Sequence, residues 1–168
     1  NRTLLLDRAG LALARARRSG AHVALLFLDL DDFKVVNDSL GHLQGDNLIG
    51  RVAQVLRLSV RANDTVARLG GDEFTVLLEE VVDAAEVLAV VERIQRSLEA
   101  PFALGQRQVL GAASVGIVLS DASHTTPEHL LRDADIAMYR AKASGKRRAV
   151  MFAPEMRVAA VRRLEKLG

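Results

Sequence analysis

Apolar positions at Leu5, Leu6, Ala9, Leu13 and Ala16 are spaced for a helix from Thr3 to Arg18, which Ser19-Gly20 stops. Next, Val23 to Leu28 is apolar at every position, the pattern of a short strand buried on both faces. It runs into the acidic residues Asp29, Asp31 and Asp32. From Asp46 to Arg61 the stripe Leu48, Ile49, Val52, Val55 and Leu56 predicts a second helix. Thr65 to Leu69 reads as a strand and Glu73 to Glu80 as its return, with Gly70-Gly71 as a two-residue hairpin turn that accepts positive φ.

Asp83 is placed to cap the following helix, with Glu86 completing a capping box, and Val87, Leu88, Val91, Ile94 and Leu98 form its apolar stripe as far as Pro101. Phe102 to Leu104 and Val109 to Leu119 read as strands paired around Gly105. Thr126-Pro127 opens a helix with apolar positions Leu130, Leu131, Ala134, Met138 and Ala141, closed by Gly145. A short strand, Ala149 to Phe152, precedes a basic helix-like stretch from Pro154 to Gly168. This order predicts one α/β (α+β) domain, a sheet covered by helices.

Composition narrows the function classes. The chain has 168 residues, 49% apolar and 26% charged, which suits one globular domain with a real core. Cysteine is absent, so a disulfide framework and a thiolate metal site are both excluded, and a reducing cytoplasm is permitted. Val23 to Leu28 is far too short to span a bilayer, and no signal peptide precedes it. With 23 Lys+Arg against 21 Asp+Glu the charge is nearly balanced, so the pI of about 9.4 overstates basicity. One Tyr and no Trp leave no stacking platform for single strands, and nucleic acid is not an expected partner.

The chemistry-bearing residues lie at the ends of predicted strands. Asp29 closes the buried strand, and Asp72 and Glu73 follow the Gly-Gly turn. If that strand lies beside the hairpin, the carboxylates converge at one end of the sheet. Oxygen ligands suit a hard cation such as magnesium, which commonly binds substrate phosphates as well. The bare glycines would let a phosphate approach the backbone. Taken singly, each acid also reads as an ordinary strand end or solvated turn.

Residues 70 to 74 read Gly-Gly-Asp-Glu-Phe, and residues 29 to 46 read DLDDFKVVNDSLGHLQGD. The second stretch is similar to the pattern D-x-D-x-F-K-x-x-N-D-x-x-G-H-x-x-G-D, and YRAKASGK at 139 to 146 to Y-x-A-K-x-x-G-[RK]. In this order the three motifs resemble those of GGDEF domains, the diguanylate cyclase family. The resemblance implies a ferredoxin-like palm with a central, mainly antiparallel sheet flanked by helices, of the nucleotide-cyclase and polymerase-palm type. The element order is compatible with that fold but would not have singled it out.

The implied activity is condensation of two GTP into cyclic di-GMP with release of pyrophosphate, in a homodimer and with magnesium (manganese as an alternative). Asp29 and Asp72 match the metal carboxylates, and Leu30 a backbone carbonyl ligand. Glu73 matches an acid that binds metal or helps the 3′-hydroxyl lose its proton. Asn37 and Asp46 match the guanine readers, and Lys34, Lys142 and Lys146 match phosphate-facing cations. Gly70 and Gly71 match the turn over the phosphates, and Phe33 and His42 also fall on motif positions.

Arg61-Ala62-Asn63-Asp64 reads R-x-x-D, which in this register resembles the family's product-inhibition site, with Arg93 as a candidate second arginine. Read alone, it is a helix end where Arg favours the dipole and Asp starts a turn. Asn1-Arg2 matches the end of a D-x-L-T-x-L-x-N-R segment, and FAPEMRVAAVRRLEKLG resembles the linker into an EAL phosphodiesterase domain. The expectation is a GGDEF domain over residues 1–153 and the start of a linker helix over 154–168, in a longer chain carrying an EAL domain. The domain is expected in the cytoplasm, with a membrane tether in the parent chain left open. Two other readings remain: a catalytically silent GTP-binding domain tuning the phosphodiesterase, and a cyclic di-GMP receptor acting through Arg61 and Asp64.

Overall fold

The uninterrupted apolar run after Gly20 becomes strand β1 (His22–Leu30), buried from Val23 onward. The structure, a computed structural model, describes residues 1–167. Helix α1 (Arg2–Ser19) precedes β1, and helices α2 (Phe33–Leu40) and α3 (His42–Leu58) follow it. Strands β2 (Thr65–Arg68) and β3 (Glu73–Val81) lead to helix α4 (Ala84–Glu99). Strands β4 (Phe102–Leu104), β5 (Arg107–Val109) and β6 (Ala113–Leu119) come next. Helix α5 (Pro127–Ala143), strand β7 (Ala149–Met151) and helix α6 (Pro154–Leu167) complete the chain.

The sheet has five strands in the order β2-β3-β1-β6-β7, antiparallel except for the parallel β6–β7 pair. Its central place explains the composition of β1. Even-numbered Ala24, Leu26, Leu28 and Leu30 join the core under α3 and α4. Odd-numbered Val23, Leu25 and Phe27 join the core under α1 and α5. Both faces are covered, so no polar position is tolerated until the strand's end.

Local signals act as the chemistry requires. Gly20 takes φ 78°, and its N–H bonds the Ala16 carbonyl at 2.9 Å, a left-handed cap ending α1. Asp83 accepts from Glu86 N–H at 3.0 Å, while Glu86 Oε2 accepts from Val82 N–H at 2.9 Å, one residue upstream of the usual box partner. Thr126 caps α5 by position, without a side-chain hydrogen bond.

Three expectations need correction. The helix expected from Asp46 starts at His42, and α2 precedes it; Gly41, at φ 89°, makes the break between them. α2 is only eight residues long, and its stripe of Phe33, Val36 and Leu40, of which Val36 alone is fully buried, is too short to stand out from a loop. The strand expected over Val109–Leu119 is two strands. Gly111 N–H bonds Leu98 O at 3.0 Å and draws the chain against the end of α4, so β4 and β5 form a separate hairpin. The Gly-Gly turn is longer than two residues: Leu69 N–H bonds Glu73 O at 2.9 Å, and neither Gly70 nor Gly71 has positive φ.

Gly116 on β6 sets the depth of α5. A Cβ there would fall 2.0 Å from the Ala134 carbonyl oxygen and 2.3 Å from Met138 N. The α5 backbone therefore rests directly on the strand.

Candidate active site

β1 and β3 pair in a register that places Asp29 directly opposite Glu73, with Ser114 of β6 on the other side. Directly opposed residues point to the same face, here the α1/α5 face shared with Phe27. Leu30 N–H donates to the Asp72 carbonyl at 3.1 Å, tying the Gly-Gly loop to the end of β1. Asp29, Asp72 and Glu73 thus gather at one end of the sheet, as the sequence required.

Lys142, near the end of α5, places Nζ 2.8 Å from Asp29 Oδ1. That ion pair is the one polar contact the buried oxygen makes among the described residues. Burial pushes the Asp29 carboxyl up to about 6, the negative charge of Asp72 adds to the rise, and Lys142 opposes it. Glu73 is also raised, by burial first and then by Asp72 and Asp135. A partly buried cluster of three acids facing one lysine is a site prepared for further positive charge.

Among the described residues no three His, Asp or Glu side chains form a ready-made metal cage. That is compatible with magnesium, which takes one or two protein carboxylates and completes its shell with water and substrate phosphates. Asp29 and Asp72 supply such a pair, so the residues fit this metal.

The expected guanine readers lie across the sheet end, on the α2/α3 side. Asn37 packs on Gly45: a Cβ at 45 would overlap Asn37 Oδ1 and come 3.5 Å from the Phe33 ring. Asp46 is the next residue, exposed on α3. Phe33 also reaches toward the loop, 3.9 Å from where a Gly71 Cβ would stand. Phe33 therefore spans from the Asn37–Gly45 contact to the Gly-Gly loop. Lys34 on α2, His42 at the start of α3 and Lys146 after α5 are exposed. No contact among the described residues draws Lys34 or His42 to the carboxylates.

Two positioning residues escaped the sequence reading. Arg68 Nε donates to Gly70 O at 3.0 Å and Gly71 O at 3.1 Å, and its Nη2 to Gly71 O at 2.8 Å. It turns both carbonyls to one side of the loop; the only sequence signal is an arginine two positions before the glycines. Asp31 accepts from Ser114 Oγ at 2.6 Å and from Arg147 N–H at 3.0 Å. Lys146 and Arg147 are consecutive left-handed residues at φ 62° and 51°, a conformation costing on the order of 1 kcal/mol each. Asp31, with the Asp32–Arg147 ion pair at 3.1 Å, holds that turn and with it Lys146.

A cavity of about 530 Å³ lies behind Glu73, lined by Arg2, Phe27, Leu69, Arg132 and Asp135 among others. Neither Asp29 nor the two glycines line it, so it adjoins the carboxylate cluster without being the expected phosphate site.

At the R-x-x-D segment, Asp64 is structural in this conformation. Its side chain is 1% exposed, and its oxygens accept from Arg61 N–H at 2.9 Å and Glu79 N–H at 3.1 Å. Arg61 is open to solvent, and its Nη2 lies 2.8 Å from Glu86 Oε1. Arg93 donates to Ser59 O at 2.6 Å, close to this segment.

Comparison with known proteins agrees with the geometry. Residues 1–148 match the family described as "Diguanylate cyclase, GGDEF domain". The bifunctional diguanylate cyclase/cyclic di-GMP phosphodiesterase MucR of Pseudomonas aeruginosa is 41% identical over 99% of this chain, which spans 24% of MucR. The diguanylate cyclase TpbB of the same organism is 41% identical over 88% of the chain and 35% of that protein. The cyclic di-GMP phosphodiesterase NbdA, also from Pseudomonas aeruginosa, is 37% identical over 98% of the chain and 21% of its own length. In structure, the GGDEF domain of TpbB superposes with a TM-score of 0.91 at 37% identity, covering 95% of this chain and 94% of that one. The GGDEF domain of DgcB from Caulobacter crescentus, in complex with c-di-GMP, gives 0.77 at 29% identity, covering 86% of each chain. The fold is that of the cyclase palm domains. The chain belongs to the GGDEF family of diguanylate cyclases. It spans about a fifth to a third of the length of these curated relatives. Among the described residues no helix is long and apolar enough to cross a membrane.

Proposed function

We propose that this chain is a catalytic GGDEF domain that joins two GTP into cyclic di-GMP, releasing pyrophosphate. The observation that carries the reading is buried Asp29 opposite half-buried Glu73 across β1 and β3, with Asp72 beside them and Asp29 Oδ1 held only by the Lys142 ion pair. Asp29, Asp72 and the Leu30 carbonyl would hold magnesium, which when bound neutralises phosphate charge and acidifies the attacking 3′-hydroxyl. The raised affinity of Glu73 for a proton suits it to accept that hydroxyl's proton. Lys142, free to follow negative charge from Asp29, would meet the phosphates with Lys34 and Lys146, over the open backbone of Gly70 and Gly71. Asn37 and Asp46 would read guanine, with Phe33 and His42 shaping the pocket.

One domain presents one carboxylate cluster, so each GTP hydroxyl needs a second copy facing it, a two-fold homodimer. Residues 154–168 are read as a linker helix after the domain proper, leading toward an EAL domain in the cytoplasm. Cyclic di-GMP is proposed to inhibit through Arg61 at the R-x-x-D segment. A regulatory, catalytically silent role is the second reading, favoured by the likeness to NbdA, named as a phosphodiesterase.

The test is incubation with GTP and magnesium at several protein concentrations, following cyclic di-GMP by chromatography. Product rising more steeply than protein concentration is expected, and it should vanish in Asp29→Ala and Asp72→Ala. GTP binding without product at any concentration selects the silent regulator. Product formation with both carboxylates replaced refutes the metal assignment.

A further inference from the structure

Arg61 already has an anionic partner, and the way that partner is held points to a role. Glu86 is the third residue of α4. Its N–H is fixed by Asp83 Oδ1 at 3.0 Å, and its Oε2 accepts from Val82 N–H at 2.9 Å. These bonds leave Oε1 aimed at Arg61 Nη2, 2.8 Å away. A glutamate on an exposed surface ordinarily loses rotamer entropy to hold an ion pair. Here the helix cap has already fixed the rotamer, so the carboxylate is presented at little further cost.

On the other side of Arg61, Asp64 is almost wholly buried; its oxygens accept from two backbone amides, and Oδ2 lies 3.9 Å from Arg61 Nε, a weaker contact than that of Glu86. The Arg61 guanidinium is 54% exposed and borders a cavity of about 290 Å³ that Arg8 and Arg57 also line. It is the residue of the R-x-x-D segment available to an anion from solvent.

We propose that Glu86 is an intrinsic competitor for the phosphodiester of cyclic di-GMP at Arg61, setting the concentration at which product binds. The inference rests on the product-site reading of Arg61. Glu86 Oε1 and a phosphodiester oxygen are both anionic acceptors for the same Arg61 Nη2, so the two occupy it in turn. Displacing a partly exposed ion pair costs up to about 1 kcal/mol, equivalent to about fivefold in affinity.

The experiment is calorimetric titration of the 168-residue chain with cyclic di-GMP at fixed ionic strength, comparing wild type with Glu86→Gln, Glu86→Ala and Arg61→Ala. Glu86→Gln keeps an oxygen for Val82 N–H while removing the charge; Glu86→Ala removes both. Each is expected to tighten binding about fivefold, and Arg61→Ala to abolish it. Unchanged or weaker binding in both Glu86 variants, with loss in Arg61→Ala, overturns the competitor and leaves the product site standing. Binding that survives Arg61→Ala, or no binding by any variant, overturns the product-site reading, and the competitor with it.

Discussion

Replacing Asp29 by asparagine should make the ligand-free protein more stable while removing its activity. The Asp29 side chain is 13% exposed, and its carboxyl is raised from 3.8 to about 6, principally by burial. That rise corresponds to about 3 kcal/mol favouring the protonated form in the folded chain. Between these values the folded protein holds a proton that the unfolded chain has released. The stability linked to this group is therefore greatest below about pH 4 and is lost as pH climbs through about 6. An asparagine cannot ionise and escapes the loss. The Lys142 pair already opposes the rise, so its loss is contained in that figure. The gain at pH 7.5 is about 3 kcal/mol at most, which for a domain of this size raises Tm by up to about 6–12 °C. The assay is thermal unfolding followed by circular dichroism in chelator-containing buffer, from pH 4.5 to 8. Wild type should fall away from the variant as pH rises through 6, and magnesium with GTP should restore wild type alone. Equal Tm values at pH 7.5, or curves that stay parallel over the whole range, would refute the claim that Asp29 is held at the expense of stability.

The other predictions concern packing, docking and loop geometry. Gly116→Ala should cost about 3 kcal/mol in urea unfolding, because the new methyl meets α5 backbone and no flexible side chain can yield. Asp133 is fully buried; burial alone would raise its carboxyl, but hydrogen bonds from Arg157, Arg132 and His124 hold it below the usual range. Its contribution is present above about pH 4 and lost as pH falls through the depressed value, so Asp133→Asn should cost about 3 kcal/mol at pH 7 and blunt acid unfolding. Arg68→Ala frees the Gly70 and Gly71 carbonyls, and should lower the rate of cyclic di-GMP formation about tenfold or more with little change in Tm. A rate within twofold of wild type would show that the loop holds its shape without Arg68.

Much of this arrangement could be read from the chain because the informative residues report on local chemistry. A strand apolar at every position has to be covered on both faces, and β1 is. Asp83 with Glu86 and Gly20 mark helix ends through bonds made within a few residues, and Thr126-Pro127 marks one through proline's fixed backbone. The convergence of Asp29, Asp72 and Glu73 needed only that β1 and β3 be neighbours. What escaped the sequence depends on distant parts of the chain. α2 is a single short helix whose stripe of Phe33, Val36 and Leu40 spans barely two turns and packs on the core only once the distant strands are in place. The break at residues 110–112 is set by Leu98 and Phe102. Gly70 serves close approach, where a turn with positive φ was expected: a Cβ there would stand 3.0 Å from Glu73 Oε1. The roles of Arg68 and Asp31 follow from hydrogen bonds that no composition or period encodes.

Strand β7 runs parallel to β6, so the chain leaves the sheet at the end remote from Asp29. Helix α6 then doubles back along α5: Arg157 bonds Asp133 at 2.7 Å, and Arg163 stacks 4.0 Å from the centre of the Tyr139 ring. Its direction matches that of α5, toward Lys142. At the other terminus Arg2, in the first turn of α1, lines the cavity behind Glu73. Both helices thus run to the side where the carboxylates are. A displacement of α1 would act beside Glu73, and one of α6 would pass along α5 to the lysine on Asp29. Neither path crosses the sheet, so movement of either helix is expected to alter the spacing of the charged groups directly.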